Sequence, residues 1–288
     1  MGNRSNSILA FIPQNKSGEL VIKEALYFQQ ILEMRIFILN IMKPPSLLSK
    51  VLKAKKLETR ITKARQKQSD FVKNVIQKEI PKNIILKIKT GDVVSTLIHE
   101  SKYGGYDFII VDKSKSSFKG ALHWSKFDKF INQSRCPVLT INKDFPVREI
   151  KKIIIPIDIS QTTKKRLLWA TLFAKKFNAK IQIVSALNKN IDETKSLAYK
   201  NAVKIKHLLW DRGVECDVKI QKVNIQNKHR AILEYINKEK PELVIIRTHQ
   251  ESIFAETNIG KFVSEIVHGC TMPVFTVNYS QKPLDTLY

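Results

Sequence analysis

The sequence has no long hydrophobic run. None of its apolar stretches approaches the roughly 18 consecutive residues of a membrane-spanning helix. The first residues are polar and no apolar signal region follows them, which argues against secretion. Gly2 raises the question of N-myristoylation, but Asn6 stands where that motif requires Ser or Thr. We therefore expect a cytoplasmic protein without membrane insertion.

Patterns for disulfides and metal sites are also missing. The three cysteines, Cys136, Cys216 and Cys270, have no paired short spacing, which excludes a disulfide framework and a zinc knuckle. None of the six histidines stands at a metal-ligand spacing from Cys, Asp or Glu. We expect no metal site.

Signatures of several enzyme classes are absent as well. The chain has no Gly-x-Ser-x-Gly elbow, no Gly-x-x-x-x-Gly-Lys-Ser/Thr loop and no His-Glu-x-x-His helix. The Ser-Gly-Gly-x-Asp-Ser and His-x-Gly-His signatures of α/β enzymes that transfer nucleotidyl groups are not found either. No catalytic residue is predicted, and the sequence favours a binding protein over an enzyme.

Acidic residues are scarce relative to basic ones. Lys and Arg total 50 against 26 Asp and Glu, which gives a net charge of +24. This sign favours contact with polyanions through the release of counterions. Because Lys far outnumbers Arg and recurs with Ile and Asn throughout, a compositional bias expressed on solvated surfaces is the alternative. Both interpretations stay open.

An internal repeat organises the 288 residues. The apolar runs at 106–111 and 242–246 match each other, and each is followed by Cys, Pro and a further apolar run. Pro137 and Pro273 mark those closing runs, and the opening runs at 7–13 and 152–158 also correspond. The chain therefore contains two copies of one unit, which we assign to residues 1–146 and 147–288.

Each copy predicts the element order βαβαβαβαβ. Continuous apolar runs bounded by polar turns are typical of strands buried on both faces of a parallel sheet. Amphipathic helices separate the strands, as at 18–32 and 162–177, and the second strand of the first copy is predicted at 35–42. Asp92 and Asn227 stand at N-cap positions of the third helices. The predicted fold class is α/β, with two tandem five-stranded parallel sheets and sites at the carboxyl ends of the strands.

In order and spacing, these elements resemble the universal stress protein family, in particular its tandem two-domain members. The resemblance covers nearly the whole chain and implies Rossmann-like domains of the adenine nucleotide alpha hydrolase type. It also implies that the domains pair through their last strands as an intramolecular pseudo-dimer, while a homodimer through other surfaces stays open. The features that carry it are Gly91-Asp92, residues 106–111, Cys136-Pro137-Val138, Pro156-Ile157-Asp158, Thr248-His249 and Ile259-Gly260.

Nucleotide-binding members of that family carry a phosphate loop after the fourth strand, with Gly-x-x-Gly, a spacer and Gly-Ser/Thr. Glycine lets backbone amides close around phosphates, and the hydroxyl near a helix N-terminus adds a donor. In the second copy, Arg247 and Gln250 stand at the first two glycine positions. Gly260 keeps the third, and Lys261 replaces the hydroxyl residue. The loop is therefore predicted to be degenerate.

The first copy departs further from the family pattern. Its loop has one glycine, Gly120, out of register, and either Val111 or Asp112 stands at the first glycine position. The adenine-contacting Asp of the family corresponds to Asp158 in the second copy and to Pro13 in the first. The first site is predicted to be purely structural, and the second is the better candidate for an adenine nucleotide such as ATP.

Five residues form the predicted site of the second copy: Asp158, Arg247, His249, Gly260 and Lys261. Its basic members supply charge and hydrogen-bond donors that attract an anion without a glycine cradle. His249 follows the fourth strand and is expected either to face the crevice or to serve the loop structure. No cofactor is firmly predicted, and an adenine nucleotide in this copy is the open alternative.

The most basic segment begins at Lys50 and ends at Lys78. It carries ten Lys or Arg residues against Glu58 and Asp70, and Phe71 is its only aromatic residue. Contact with a polyanion or an anionic membrane is one interpretation and a solvated helix is the other, since a single-strand nucleic-acid platform needs several aromatics. Residues 1–148 hold 27 basic and 12 acidic residues, so most of the excess charge lies in the first half.

The leading hypothesis is a non-enzymatic stress-response or regulatory protein that acts by binding, with ATP binding lost or weakened. One alternative is a nucleotide or anion sensor that uses the second copy, and another is a basic polyanion-binding module. Slow ATP hydrolysis is the least favoured hypothesis because it needs the phosphate loop that both copies lack.

Overall fold

The computed structural model describes seven stretches of the chain: 6–13, 18–43, 54–114, 123–157, 164–224, 228–248 and 260–278. Two compact units divide the chain, Met1–Cys136 and Pro137–Tyr288. Within the described stretches, no helix combines the length and the apolar character needed to cross a membrane.

The first unit contains a parallel sheet in the order β3-β2-β1-β4. At its centre, Ile8 of β1 lies between Ile36 of β2 and Phe108 of β4. The strand order reverses between β1 and β4, which is where open α/β sheets bind ligands. The strands are β1 (Ser7–Phe11), β2 (Arg35–Met42), β3 (Ile84–Thr90) and β4 (Phe108–Asp112).

Helices connect these strands as the alternating pattern predicts. The third helix is capped by Asp92, whose Oδ1 accepts a hydrogen bond of 2.9 Å from the backbone N–H of Ser95, so the predicted N-cap is confirmed. This backbone hydrogen bond lowers the pKa of the Asp92 carboxyl. The helices are α1 (Gly18–Leu32), α2 (Ala54–Ile76), α3 (Val93–Tyr103) and α4 (His123–Gln133).

The second unit repeats the same order with two strands added. Its parallel strands run β8-β7-β6-β9-β10, and β5 pairs antiparallel with β10. The strands are β5 (Val138–Ile141), β6 (Lys152–Pro156), β7 (Lys180–Asn188), β8 (Cys216–Val223), β9 (Leu243–Arg247) and β10 (Val274–Val277). The helices are α5 (Lys164–Phe177), α6 (Leu197–Trp210), α7 (Lys228–Glu239) and α8 (Lys261–Gly269).

Two threonines join β5 and β10 reciprocally. The Oγ1 of Thr140 donates a hydrogen bond of 3.1 Å to the carbonyl of Val274, and the Oγ1 of Thr276 donates one of 3.1 Å to the carbonyl of Val138. Both side chains are buried, so these bonds satisfy hydroxyls that have no access to water. This pairing explains why β5, the last strand of the first repeat, is grouped with the second unit.

The cores are built from strands that are buried along their whole length. In the first unit, β1 and β4 have no exposed residue, and Phe28 of α1 meets Phe108 of β4 edge-on with ring centres 5.6 Å apart. In the second unit, Phe173 of α5 packs against Phe275 of β10 at 4.9 Å. These apolar contacts provide most of the driving force for folding.

The α/β class and the order of elements in both copies are confirmed. Helix α1 and strand β2 coincide with their predicted bounds. Helix α6 is capped by Ser196, whose Oγ accepts a hydrogen bond from the N–H of Tyr199. The second predicted N-cap, Asn227, lies outside the described residues.

Four helices end on a non-glycine residue in the left-handed backbone region. These residues follow α1, α2, α5 and α7, and they have φ angles between 47° and 56°. Glycine is the usual residue here because it has no Cβ to clash. The residues are Glu33, Gln77, Asn178 and Lys240.

Candidate functional site

The predicted site of the second unit lies at the carboxyl ends of β6 and β9, where the strand order reverses. The end of β6 is fixed by Ile157, whose N–H donates to the carbonyl of Val184 at 2.8 Å and whose carbonyl accepts from the Oγ of Ser185 at 3.0 Å. The next residue is Asp158, the predicted adenine contact, which lies outside the described residues.

Strand β9 ends at Arg247, which is half-buried and aligned with Val277 of β10. The following residue, Thr248, is 1% exposed, and its N–H donates to the carbonyl of Val277 at 3.1 Å. The start of the loop is therefore tied to the sheet. Beyond it, His249 and Gln250 lie outside the described residues.

Gly260 precedes helix α8 in a backbone conformation that any residue adopts. Its φ is −58° and its ψ is 148°, no side chain caps the helix, and a Cβ built at Gly260 would meet no atom within 4 Å. The first N–H groups of α8 follow directly after this glycine. Such groups lack partners within the helix and attract anions.

Lys261 is the first residue of α8 and points into solvent. Its side chain is 84% exposed, and its Nζ lies 3.9 Å from Glu265 Oε1 one turn along the helix. The other carboxylate oxygen of Glu265 lies 3.3 Å from Nδ1 of His229, whose ring packs against Phe262 with centres 4.7 Å apart. Glu265 therefore links the first turns of α7 and α8.

Sequence reasoning missed His229 and Glu265. The spacing of Lys261 and Glu265 is visible in the sequence as an i, i+4 pair, which is a usable signal once the helix is assigned. The contact with His229 depends on α7 packing against α8, and no local pattern reveals it. Of the five predicted residues, the structure describes Arg247, Gly260 and Lys261.

The structure settles the one-residue ambiguity in the first copy. Strands β4 and β9 are both five residues long, and their first residues, Phe108 and Leu243, pair with Ile8 of β1 and Ile153 of β6. Asp112, the last residue of β4, is therefore the counterpart of Arg247. With Arg247 assigned to the first glycine position from the sequence, Asp112 and not Val111 takes that position in the first copy.

Asp112 is enclosed where a phosphate loop would need open backbone. Its carboxylate is 1% exposed, and it accepts hydrogen bonds from the N–H of Ser114, at 3.0 Å, and from the Oγ of Ser114. Lys113 between them is only 4% exposed. A fixed carboxylate at this point repels phosphate, and these side chains fill the space that a glycine would leave free.

Pro13 is the counterpart in the first copy of Asp158, the predicted adenine contact. The N–H of Ile12 donates to the carbonyl of Leu39 at 2.9 Å, as that of Ile157 does to Val184 in the second unit. Ile12 and Ile157 are therefore equivalent, and so are the residues after them, Pro13 and Asp158. The proline side chain has neither a donor nor an acceptor for a base.

Metal and thiol chemistry have no support in the described residues. Among these residues, no group of three or more His, Cys, Asp and Glu side chains is arranged to hold a metal ion. Burial raises the pKa of the Cys136 thiol to about 12, so this sulfur is protonated at neutral pH and is a poor nucleophile.

A parallel sheet in the order β8-β7-β6-β9-β10, with loops at the strand ends, defines the second unit as a Rossmann-like α/β domain. Residues 149–278 match the model of the universal stress protein family. The likeness to this family in sequence therefore covers the second repeat of the chain. No match is found among curated proteins.

Solved structures extend the likeness in fold to the whole chain. A universal stress protein from Archaeoglobus fulgidus DSM 4304 is 17% identical, with a TM-score of 0.66 and coverage of 96% of this chain and 97% of that one. A functionally unknown protein from Pseudomonas aeruginosa PAO1 is 16% identical, with a TM-score of 0.61 and coverage of 96% and 93%. A universal stress protein from Archaeoglobus fulgidus in complex with dAMP is 12% identical, covers 45% of this chain and 99% of that one, and has a TM-score of 0.36.

Proposed function

We propose that this chain is a non-enzymatic stress-response protein that acts by binding and in which ATP binding is lost or weakened. The observation that carries the proposal is the buried carboxylate of Asp112, held by Ser114 at the first glycine position of the first copy. Phosphate cradles need converging N–H groups, and this position offers a negative charge instead.

The second unit supports the same proposal more weakly. Arg247 and Lys261 replace a glycine and the hydroxyl residue, and the long exposed side chain of Lys261 stands at the helix end. A lysine supplies charge but does not reproduce the short hydroxyl donor that the family uses. ATP in the family's usual pose therefore loses contacts here.

A nucleotide or anion sensor is the second candidate, and it would use Asp158, Arg247, His249, Gly260 and Lys261. It is favoured by the open space beside Gly260 and by the first turn of α8, which has a lysine and no acidic residue. A positive helix end with a basic side chain attracts anions. This candidate keeps a working site in the second unit only.

The test is calorimetric titration and thermal shift of the full chain with ATP, ADP, AMP, dAMP and cyclic dinucleotides. We expect no saturable binding of ATP and therefore no rise in the unfolding midpoint, because only a ligand that binds the native state raises it. Lys261→Ser puts a hydroxyl residue back at the start of α8. Its effect on ATP binding is compared with that of Lys238→Ser, which removes the same charge from an exposed position on α7. Saturable ATP binding that is lost in Asp158→Ala would refute the main proposal and establish the sensor.

Turnover of labelled ATP separates both candidates from an enzyme. We expect no release of phosphate above the buffer rate, because no phosphate loop orients the nucleotide for attack.

We also propose that the protein is cytoplasmic and that its two sequence repeats pair through their last strands. The reciprocal bonds of Thr140 and Thr276 support that pairing.

A further inference from the structure

Helix α2 of the first unit carries a row of basic side chains. The row consists of Arg60, Lys63 and Lys67, and all three are exposed. At about 100° of rotation per residue, their positions lie within an arc of about 60° on one face of the helix. We call these three residues the basic row.

The basic row has no acidic partners within the described part of the chain, where its three side chains form no ion pair. Some exposed bases elsewhere are paired, as Lys23 is with Glu19 at 2.6 Å and Arg230 with Glu234 at 2.7 Å. Residues three and four apart on a helix are neighbours, so the like charges of the row repel one another. A bound polyanion would remove this repulsion.

The nearby polar and acidic residues do not cancel the row. Asp70 is three residues from Lys67, but the two side chains form no ion pair, and Asp70 instead accepts a hydrogen bond of 2.8 Å from Nε2 of Gln66. Glu58 lies about 160° around the helix from Arg60 by the same geometry. Lys73 is the base that pairs with an acid near the end of α2, at 2.9 Å from Glu79. The three charges therefore act together on approaching ions.

Packing against the sheet fixes the direction in which the row points. Gln68 is 4% exposed, and its Nε2 donates to the carbonyl of Ile38 at 2.8 Å and to that of Lys87 at 3.5 Å. Val72 on the same side is fully buried. These contacts set the rotation of α2 about its axis, so the row faces away from the sheet in a defined orientation.

We propose that the basic row binds the phosphate backbone of duplex nucleic acid. From Arg60 to Lys67 the row covers seven residue steps of helix, about 10 Å, which is long enough to contact about two to three successive phosphates of one strand. Contacts of this kind position a protein on a duplex and read no sequence. The inference is independent of the proposed function, because it uses none of the residues of the nucleotide site.

Two other polyanions fit the row less well. An anionic membrane binds helices that also insert apolar side chains, and no large apolar residue of α2 is exposed among those the structure describes. Single strands bind platforms of stacked aromatics, and the one aromatic residue of α2, Phe71, is half-buried. A duplex needs neither feature.

The experiment measures binding of the full chain to a fluorescent mixed-sequence DNA duplex by anisotropy over a range of salt concentrations. Each phosphate contact contributes a slope of about −0.9 to the plot of log K against log salt. We expect Arg60→Gln/Lys63→Gln/Lys67→Gln to make this slope shallower by about 2 to 3 and to weaken binding at least about tenfold near 100 mM salt.

A matched control removes the same charge elsewhere. The variant Lys200→Gln/Lys204→Gln/Lys219→Gln neutralises three exposed lysines of the second unit, and Arg65→Gln neutralises an exposed arginine of α2 that lies outside the row. Both are expected to bind the duplex within about twofold of the natural sequence if the contact is local. Circular dichroism and the unfolding midpoint confirm that each variant is folded.

Three results would overturn the proposal. The natural sequence does not bind the duplex even near 50 mM salt, where nonspecific contacts are strongest. The control triple variant loses as much affinity and slope as the row variant, which would assign binding to bulk charge. Vesicles containing phosphatidylserine are bound through the basic row while the duplex is not, which would assign the row to a membrane surface.

Discussion

Two buried carboxylates of the first unit show how the same group acquires different roles at the scale of one residue. Asp112 is held by hydrogen bonds from the N–H and the Oγ of Ser114, which fix the backbone just after β4. Glu24 of α1 is 6% exposed, and burial raises its pKa to about 7. One carboxylate therefore shapes a loop, and the other makes stability depend on pH.

Glu24→Gln should make the stability of the protein less dependent on pH. The folded-state pKa of Glu24 lies above its unfolded value of 4.5, so the folded state holds the proton more tightly, and stability falls as the pH rises from about 4.5 to about 7. The penalty at pH 8 is on the order of 3 kcal/mol. Urea unfolding at pH 5 and pH 8 measures it. Glu19→Gln on the same helix is the control, and equal pH profiles in all three proteins would contradict the assignment.

Asp112→Ala should destabilise the first unit. The change leaves the N–H of Ser114 without its acceptor and empties a buried position, at a cost of about 1–3 kcal/mol. Denaturant unfolding measures the difference in the free energy of unfolding. Asp144→Ala, at an exposed position, should stay within about 0.5 kcal/mol of the natural sequence. A neutral effect of Asp112→Ala would mean that this carboxylate contributes nothing to the loop.

At the scale of elements, strand β3 and helix α3 are joined by a buried charge cluster. Glu100 of α3 is 2% exposed and lies 2.5 Å from Lys87 Nζ of β3 and 3.5 Å from Lys89 Nζ. The hydroxyl of Tyr106 donates to Glu100 and accepts from Lys87. Burial opposes ionisation of Glu100, but the bonds from Lys87 and Tyr106 outweigh it and lower the pKa of its carboxyl.

Lys87→Met should be strongly destabilising, by on the order of 3 kcal/mol, because it leaves a buried carboxylate without its nearest cation. Adding Glu100→Gln should recover part of the loss, so the two effects should not add. A double-mutant cycle of unfolding free energies measures the coupling. Lys82→Met removes an exposed lysine just before β3 and serves as the control. Additive effects would show that the cluster does not act as one unit.

The elements were predictable from the sequence where the signal is local. The apolar run of β2 and the amphipathic period of α1 coincide with the observed bounds because both depend on neighbouring residues. The cap at Asp92 was predictable for the same reason. The carboxylate clusters around Glu100 and Glu265 were not, since each joins side chains from different elements.

From the sequence, the residues of the candidate site were predictable only by aligning the two repeats with each other and with the family pattern. The doubled pattern locates Arg247, Gly260 and Lys261, and it leaves Asp112 and Val111 as alternatives in the first copy. The pairing of β4 with β1 removes that ambiguity, because strand register is a property of the sheet and not of one strand. The hydrogen bonds that Asp112 accepts from Ser114 were also not predictable from the sequence.

At the scale of the whole molecule, the net charge of +24 should affect stability directly. Excess charge of one sign destabilises a compact state by self-repulsion, and salt screens it. We expect the unfolding midpoint to rise by a few degrees between about 20 mM and about 300 mM NaCl. Differential scanning calorimetry measures the midpoint. A midpoint that falls or stays constant would show that the charges are already balanced by their arrangement.

The four helix ends in left-handed conformation are positions at which substitution should raise the unfolding midpoint of the protein. A residue with a Cβ is strained there by about 1–2 kcal/mol, whereas glycine is not, although glycine costs about 0.5–1 kcal/mol more to order. Glu33→Gly, Gln77→Gly and Lys240→Gly should therefore each raise the unfolding midpoint slightly, and together by several degrees. The chain does without glycine even at sites where the backbone favours it. The low glycine content of its loops is thus a property of the whole chain. Its thermal stability can be raised by substitutions at helix ends, away from the proposed binding sites.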